Sequence, residues 1–466
     1  MSEPFRLADA RAWRAAALVA GREDARCTGV SIDTRTLAAG DLFVAIRGIR
    51  HDAHAYLERA LAGGAAGLVI EQGRAWPPEA PAVLVVEDTT RALGALAAGH
   101  RAGFHGPLVA ITGSNGKTTT KEMCAAILAE GGPCLRNRGN LNNQYGLPLT
   151  LLEREARHRS VVVEIGTSQR GEVAALAAIA RPTVGVLTNV GTAHSEFLGS
   201  REEIAREKGD LLAALPADGT AVVNADDPRV RAQAARTRAR VLRFGAARDA
   251  DVRAEKVEAL GARGFAFALR TPWGDAAVRV AGLGETSVPN ALAAAAAALA
   301  AGARLDRVAS GLARHTPVGG RMQPRRLAGG AQVIDDSYNA NPQSMEAALR
   351  SLARLKGGGR ALAVLGDMGE LGAEAVQAHR EAGALTARLH VDLLFALGEH
   401  AAEVGDGARA AGMDAARIHA GGSPEETARL LRGLLEPGDW VLVKGSRAMR
   451  MERVIEALSG DLEEQG

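Results

Sequence analysis

The chain has 466 residues, enough for about three domains of ordinary size. Hydrophobic residues make up 47% and charged residues 24%, as in soluble globular proteins, and the net charge of +2 gives no electrostatic basis for binding nucleic acid or an anionic membrane. Cys27, Cys124 and Cys134 are scattered without metal-ligand spacing, and the charged opening MSEPFRLADARAW lacks the apolar core of a signal peptide. The expected location is therefore the cytosol.

Residues 1–105 alternate short strands with helices: CTGVSIDTR and GDLFVAIRG flank the turn TLAAG, and AYLERALAGGAAG reads as a helix. GLVIE and AVLVVED are further strands, and TTRALGALAAGHRAGF is a helix leading to a boundary at Gly106 and Pro107. From 106 to 320 the strands PLVAIT, SVVVEIG, TVGVLTNV and TAVVN are unbroken apolar runs alternating with helices. That pattern predicts a parallel sheet covered on both faces. VLRFG, GFAFALR and AAVRVAG lie closer together and predict a small antiparallel patch. The Ala-rich run at 291–303 is too short to cross a bilayer and reads as a packed helix. TPVGGRMQPRR, with Pro and Gly on both sides of Arg321, reads as a hinge. From 321 to 466, AQVIDDSYNANP, ALAVLGDMGE, DLLFALGE and DWVLVKGSR each run as a strand into polar or Gly-rich residues, which predicts a second open α/β sheet. The fold class expected is α/β in three domains, 1–105, 106–320 and 321–466, the middle one built on a parallel sheet.

The stretch ITGSNGKTTTKE, residues 111–122, carries the strongest chemical signal. A phosphate-binding loop needs glycines for close backbone approach, amides for the oxygens, a lysine for the β- and γ-phosphates and a hydroxyl for Mg²⁺. Gly113, Ser114, Asn115, Gly116, Lys117, Thr118 and Thr119 supply these in a shortened form, with Ile111 where the usual first glycine would stand. In an open α/β sheet, ligands gather at the carboxyl ends of strands. VVVE ends there in Glu164, and GVLTNVGTAH runs out to Asn189 and His194. A carboxylate and an imidazole beside a phosphate loop make a candidate metal site, although His194 taken alone reads rather as a structural histidine.

The chain has six lysines against 50 arginines, so a surviving lysine is a candidate for work that arginine cannot do. Lys208, in REEIAREKGDLL, is one such residue, and a surface charge on a solvated helix is the alternative. Near the N-terminus, Ser31, Asp33, Arg35, Arg47, Asp52 and His54 cluster around two short strands. They would suit a polar, phosphate-bearing ligand, or would simply face solvent.

Taken in order, TGSNGKTTTK, GNLNNQYGLPLTLL, VVVEIGTSQRGEV, NVGTAHSEFLGS, AREKGDL, NADDP, DDSYNANPQSM, GDMGELG and KGSR resemble the Mur ligases over nearly the whole chain. GNLNN and DSYNANP resemble the members that add D-alanyl-D-alanine, whereas the D-N-P-R motif of the diaminopimelate-adding members is absent. The resemblance implies a UDP-binding first domain, a central P-loop ATPase and a mobile Rossmann-like last domain. It implies ATP-dependent joining of D-alanyl-D-alanine to UDP-N-acetylmuramoyl-tripeptide through an acyl phosphate, by a monomer. It further implies ATP and two Mg²⁺ ions as cofactors, with Thr118 and Glu164 on metal near the phosphates and His194 and a carbamylated Lys208 on the second ion. Asn290 would contact adenine, Arg321 the γ-phosphate and Asp336 the ribose. Ser31, Asp33, Arg35 and Arg47 would hold the UDP end, and Asn140, Asn142 and Asn143 the muramoyl part. Other readings of the same residues are a folate-polyglutamylating ligase, a nucleotide-dependent switch without ligase chemistry, and a small-molecule kinase.

Overall fold

The structure is a computed structural model that describes residues 4–13, 17–21, 23–192 and 195–459. The α/β expectation holds, with three successive sheet-built units. In the first, strands Gly29–Ser31, Asp41–Val44, Gly67–Glu71 and Ala82–Val86 pair in parallel, and Ala17–Gly21 adds antiparallel at the edge. A second sheet has six strands, all parallel, in the order Arg240–Phe244, Thr220–Asn224, Val184–Leu187, Leu108–Thr112, Ser160–Glu164 and Cys134–Arg136. The third sheet has Gln323–Arg326 antiparallel at one edge and five parallel strands, Gln332–Asp336, Trp440–Lys444, Ala361–Leu365, Leu393–Ala396 and Ile418–Ala420.

One sequence expectation is corrected. VLRFG does not join the antiparallel patch; Arg240–Phe244 pairs in parallel with Thr220–Asn224 as the last strand of the central sheet. The antiparallel sheet is Arg253–Ala259, Phe265–Thr271 and Gly274–Val280, and its first strand was hidden because RAEKVEA carries charges on an exposed edge. The Ala-rich run is the helix Ser287–Ala300, buried against the phosphate-loop helix Lys117–Ala129.

Chain order positions the site. The chain leaves Leu108–Thr112 for the sheet edge, returns to one flank as Ser160–Glu164, and crosses to the other as Val184–Leu187. The carboxyl ends of these three strands are therefore neighbours, with Glu164 paired to Ile111 and Leu187 to Thr112. Such a switch in strand order opens a crevice at the carboxyl edge. Packing distinguishes the units. Phe5, Leu42, Leu84 and Leu96 of the first unit share one apolar core with Leu108, Leu147, Val163 and Leu176 of the second. The third unit has apolar clusters of its own on the two faces of its sheet, joined from outside mainly by Leu283.

Candidate active site

The strand Leu108–Thr112 is buried throughout and ends in a loop that only glycine can make at two points. Gly113 has φ +151° and Gly116 φ +80°; a Cβ would lie 1.9 Å from Thr188 Oγ1 at the first and 2.2 Å from Asn290 Oδ1 at the second. The loop is braced by the neighbouring strand end. Ser114 N–H donates to the Asn189 carbonyl (2.9 Å), Asn115 N–H to Asn189 Oδ1 (2.9 Å), and Thr188 Oγ1 to the Asn115 carbonyl (2.7 Å). Gly191 N–H donates to Ser114 Oγ at 2.8 Å. Lys117 opens the following helix and folds back, donating to the carbonyls of Gly113 (2.9 Å) and Ser114 (3.3 Å). Burial pulls the Lys117 pKa down; Glu164 opposes that shift and Arg321 adds to it. A cation and the N-terminus of a 13-residue helix therefore face one point, as phosphate oxygens require.

Beside the loop, Thr118 Oγ1 donates to Glu164 Oε2 at 2.7 Å, and Asn142 Nδ2 donates to Glu164 Oε1 at 2.7 Å. Glu164 is buried. A hydroxyl and a carboxylate oxygen this close are the hard-oxygen donors that Mg²⁺ prefers, so the residues present fit that ion. Lys208 is buried in the helix Arg201–Ala213, which settles the surface-charge alternative. Its pKa is pulled down to about 7, first by burial and then by Lys117, against the attraction of Glu207 and Glu164. Lys208 does not itself line the cavity described next. His194 lies outside the described residues.

A cavity of about 700 Å³ runs from the phosphate loop to the third unit. Ser114, Asn115, Gly116, Lys117, Thr118, Thr119 and Glu164 line one side, Asn290 and Arg321 the junction, and Asp336 the far side. The Arg321 guanidinium carbon stands 4.2 Å from the centre of the Tyr338 ring, a cation–π contact. Asp336 accepts from Met322 N–H (3.1 Å) and from the ammonium of buried Lys444, which also donates to the Asn339 carbonyl (2.9 Å). Sequence reading missed Lys444, Tyr338 and Asn341 as cavity residues. The rarity of lysine and the KGSR motif were the available signals for the first.

The remaining candidates divide. Asn140, Asn142 and Asn143 line the same cavity. Asn143 Oδ1 accepts from the amides of Tyr145 (3.2 Å) and Gly146 (2.9 Å), so its oxygen serves the start of the helix Gly146–Leu152. Ser31, Asp33, Arg35 and Arg47 do not line this cavity. Asp33 is tied to Arg35, which holds its carboxyl down at about 2, and Arg47 approaches Glu71 at 3.4 Å. His54 bridges Asp52 (2.6 Å) and the Glu71 amide (3.0 Å), a brace for the intervening loop. The cysteines are unpaired. Burial pushes the Cys27 thiol up to about 12 and the Cys134 thiol up to about 11, and it raises Cys124 as well, so none is primed as a nucleophile.

Two family models match the chain: the Mur ligase middle domain over residues 111–298, and the Mur ligase glutamate ligase domain over 320–447. This chain belongs to the Mur ligase family. This Mur ligase is 38% identical to the UDP-N-acetylmuramoyl-tripeptide–D-alanyl-D-alanine ligase of Escherichia coli (strain K12), over 93% of this chain and 94% of the relative. It superposes on MurF from Acinetobacter baumannii with a TM-score of 0.89 and 34% identity, covering 98% of this chain and 99% of the other. MurF ligase from Thermotoga maritima, solved in complex with ADP, matches with a TM-score of 0.80 and 29% identity, over 94% and 98% of the two chains. The matched regions contain the phosphate loop and most of the third unit, which together wall the cavity.

Proposed function

We propose that this Mur ligase uses ATP to join D-alanyl-D-alanine to UDP-N-acetylmuramoyl-tripeptide, releasing ADP and phosphate, in the synthesis of peptidoglycan precursor. The observation that carries the reading is the single cavity where Lys117, the Thr118–Glu164 pair, Arg321 and Asp336 meet. In this reading residues 1–105 hold the UDP end, 106–320 bind ATP, and 321–466 close on the nucleotide and receive the dipeptide.

A carboxylate is a poor electrophile, so the tripeptide's terminal carboxylate oxygen first attacks the γ-phosphorus and ADP leaves. The dipeptide amine then attacks the acyl carbon and loses its proton, and the carbon–oxygen bond to phosphate breaks. Both reactants of the first step are anions, so positive charge around them lowers the barrier. Lys117 leaves its resting carbonyls for the β- and γ-phosphates, amides from Ser114 to Thr119 cradle the oxygens, and Arg321 swings from Tyr338 to the γ-phosphate. Asn290 borders adenine, and Asp336, set by Lys444, takes the ribose hydroxyls. Thr118 and Glu164 would hold one Mg²⁺, and His194 and a carbamate on Lys208 the second; when bound, these ions neutralise charge on the transferring phosphate. A buried amine titrating near 7 is neutral often enough to attack CO₂, lose a proton and become the anionic carbamate, which arginine cannot do. Asn140, Asn142 and Asn143 border the muramoyl part, and Ser31, Asp33, Arg35 and Arg47 the uridine diphosphate. In this reading the enzyme works as a monomer in the cytoplasm.

Phosphate release with each substrate omitted in turn tests the reading. Release should require ATP, the UDP-linked tripeptide and the dipeptide together. Equal release with either co-substrate omitted would instead support a nucleotide switch, and a stable phosphorylated product without phosphate release would support a small-molecule kinase.

A further inference from the structure

Lys121 is one of six lysines in a chain with 50 arginines, and it is fully buried. Its ammonium donates to the Asn137 carbonyl at 2.5 Å and pairs with Glu122 at 3.0 Å. Asn137 is equally buried and follows the edge strand Cys134–Arg136. That strand's pairing with Ser160–Glu164 stops at Arg136 opposite Val162. Beyond it the Asn137 side chain replaces a strand partner: Oδ1 accepts from Glu164 N–H (2.9 Å), and Nδ2 donates to the carbonyls of Glu164 (3.3 Å) and Leu141 (2.8 Å).

The contacts close a ring. Thr118 and Lys121 stand three residues apart on one helix; Thr118 Oγ1 meets the Glu164 carboxylate, Asn137 clamps the Glu164 backbone, and Lys121 holds Asn137. We infer that Lys121 is a positioning residue for the Thr118–Glu164 pair, acting through Asn137 and touching neither substrate nor metal. The inference rests on the ligase reading to the extent that this pair is taken as a metal site. Without the ammonium, the Asn137 carbonyl is left buried and unmet, and the segment 137–143 loses its tie to the helix that carries Thr118. Arginine does not substitute. Its planar five-donor fork would bring N–H groups into a site that offers one carbonyl and one carboxylate.

The test uses Mn²⁺ as a probe, with full-length enzyme and a non-hydrolysable ATP analogue, free Mn²⁺ being read by electron paramagnetic resonance. Lys121→Met and Lys121→Arg should each raise the Mn²⁺ dissociation constant about 10-fold or more, the usual loss when a partner behind a metal ligand is removed. Analogue binding without metal should stay close to wild type. Should Lys121→Met be recovered only as aggregate, Asn137→Ser leaves the lysine in place, removes the clamp and carries the same expected shift. Mn²⁺ binding within about 2-fold of wild type in the soluble variants overturns the inference, being far short of the expected loss. Wild-type enzyme that takes up no Mn²⁺ with nucleotide overturns the metal reading beneath it, a failure visible before any variant is made.

Discussion

Asn341 donates its side-chain amide to Asn115 Oδ1 at 2.8 Å, and Asn115 returns the contact at 3.4 Å. One residue lies in the phosphate loop and the other caps the helix Pro342–Leu355 of the third unit, so the pair joins the two walls of the cavity. Gln343 adds a second tie, accepting from Thr192 Oγ1 at 3.0 Å. The first two units share an apolar core, whereas the third meets the loop through polar side chains, which is the basis for proposing that the third closes on the nucleotide. Asn115→Ala leaves the Asn341 cap intact. It should lower kcat/KM for ATP about 5- to 10-fold, the worth of one neutral hydrogen bond, with little change in Tm. Small-angle scattering of the ligand-bound variant should show a larger radius of gyration than bound wild type; identical compaction and kinetics would exclude the pair as a closure contact.

Lys117→Ala should cut turnover on the order of 10²-fold or more, because the lost cation acts on transition-state charge. Its ammonium rests on loop carbonyls rather than in an apolar cluster, so circular dichroism and Tm should be nearly unchanged. A folded variant with ordinary activity would remove Lys117 from the phosphate site.

The phosphate loop was legible because strand, glycines, lysine and helix sit within twelve residues, and Glu164 because an apolar strand ends in an acid. Lys208 was only half legible. Its helix reads REEIAREKGDLL and looks solvated, yet Glu207 turns inward to take the amides of Gly171 (2.7 Å) and Val173 (2.9 Å) and the lysine is buried beside it. Lys444 and Asp336 are more than a hundred residues apart, and only parallel pairing of their strands brings them opposite each other. Lys121 and Asn137 escaped notice for the same reason: local spacing says nothing of which strand end a side chain will meet.

The Lys444–Asp336 pair is mostly buried, so breaking it on one side should cost more than removing both partners. Asp336→Asn should destabilise the protein by about 3 kcal/mol, because a buried ammonium loses its counter-charge. The double variant Asp336→Asn with Lys444→Met should regain much of that stability without regaining activity. Additive losses in denaturant titrations would contradict the coupling.

Lys208 makes stability depend on pH in a defined direction. The unfolded chain holds the lysine proton to about pH 10.4, whereas the folded chain releases it near 7. Between these values the unfolded state binds more protons, so this residue's contribution to stability rises with pH; below 7 the full cost of burying the charge is present. In CO₂-free buffer, Lys208→Met should exceed wild type in Tm at pH 6.5, with a gap that narrows by pH 9.5. A constant gap would mean that the amine titrates normally. Lys208→Ala should be inactive and partly rescued by a short carboxylic acid that fills the vacated anion site, and Lys208→Arg should be inactive as well.

The most direct test of the central claim follows oxygen. UDP-N-acetylmuramoyl-tripeptide is prepared with both oxygens of its terminal carboxylate as ¹⁸O, and the phosphate released with ATP and D-alanyl-D-alanine is weighed by mass spectrometry. If the carboxylate is phosphorylated and the amine displaces phosphate at carbon, each phosphate carries one ¹⁸O and the new amide keeps the other. Phosphate without ¹⁸O would mean that ATP is hydrolysed by water, and the chain would not be the acyl-phosphate ligase described above.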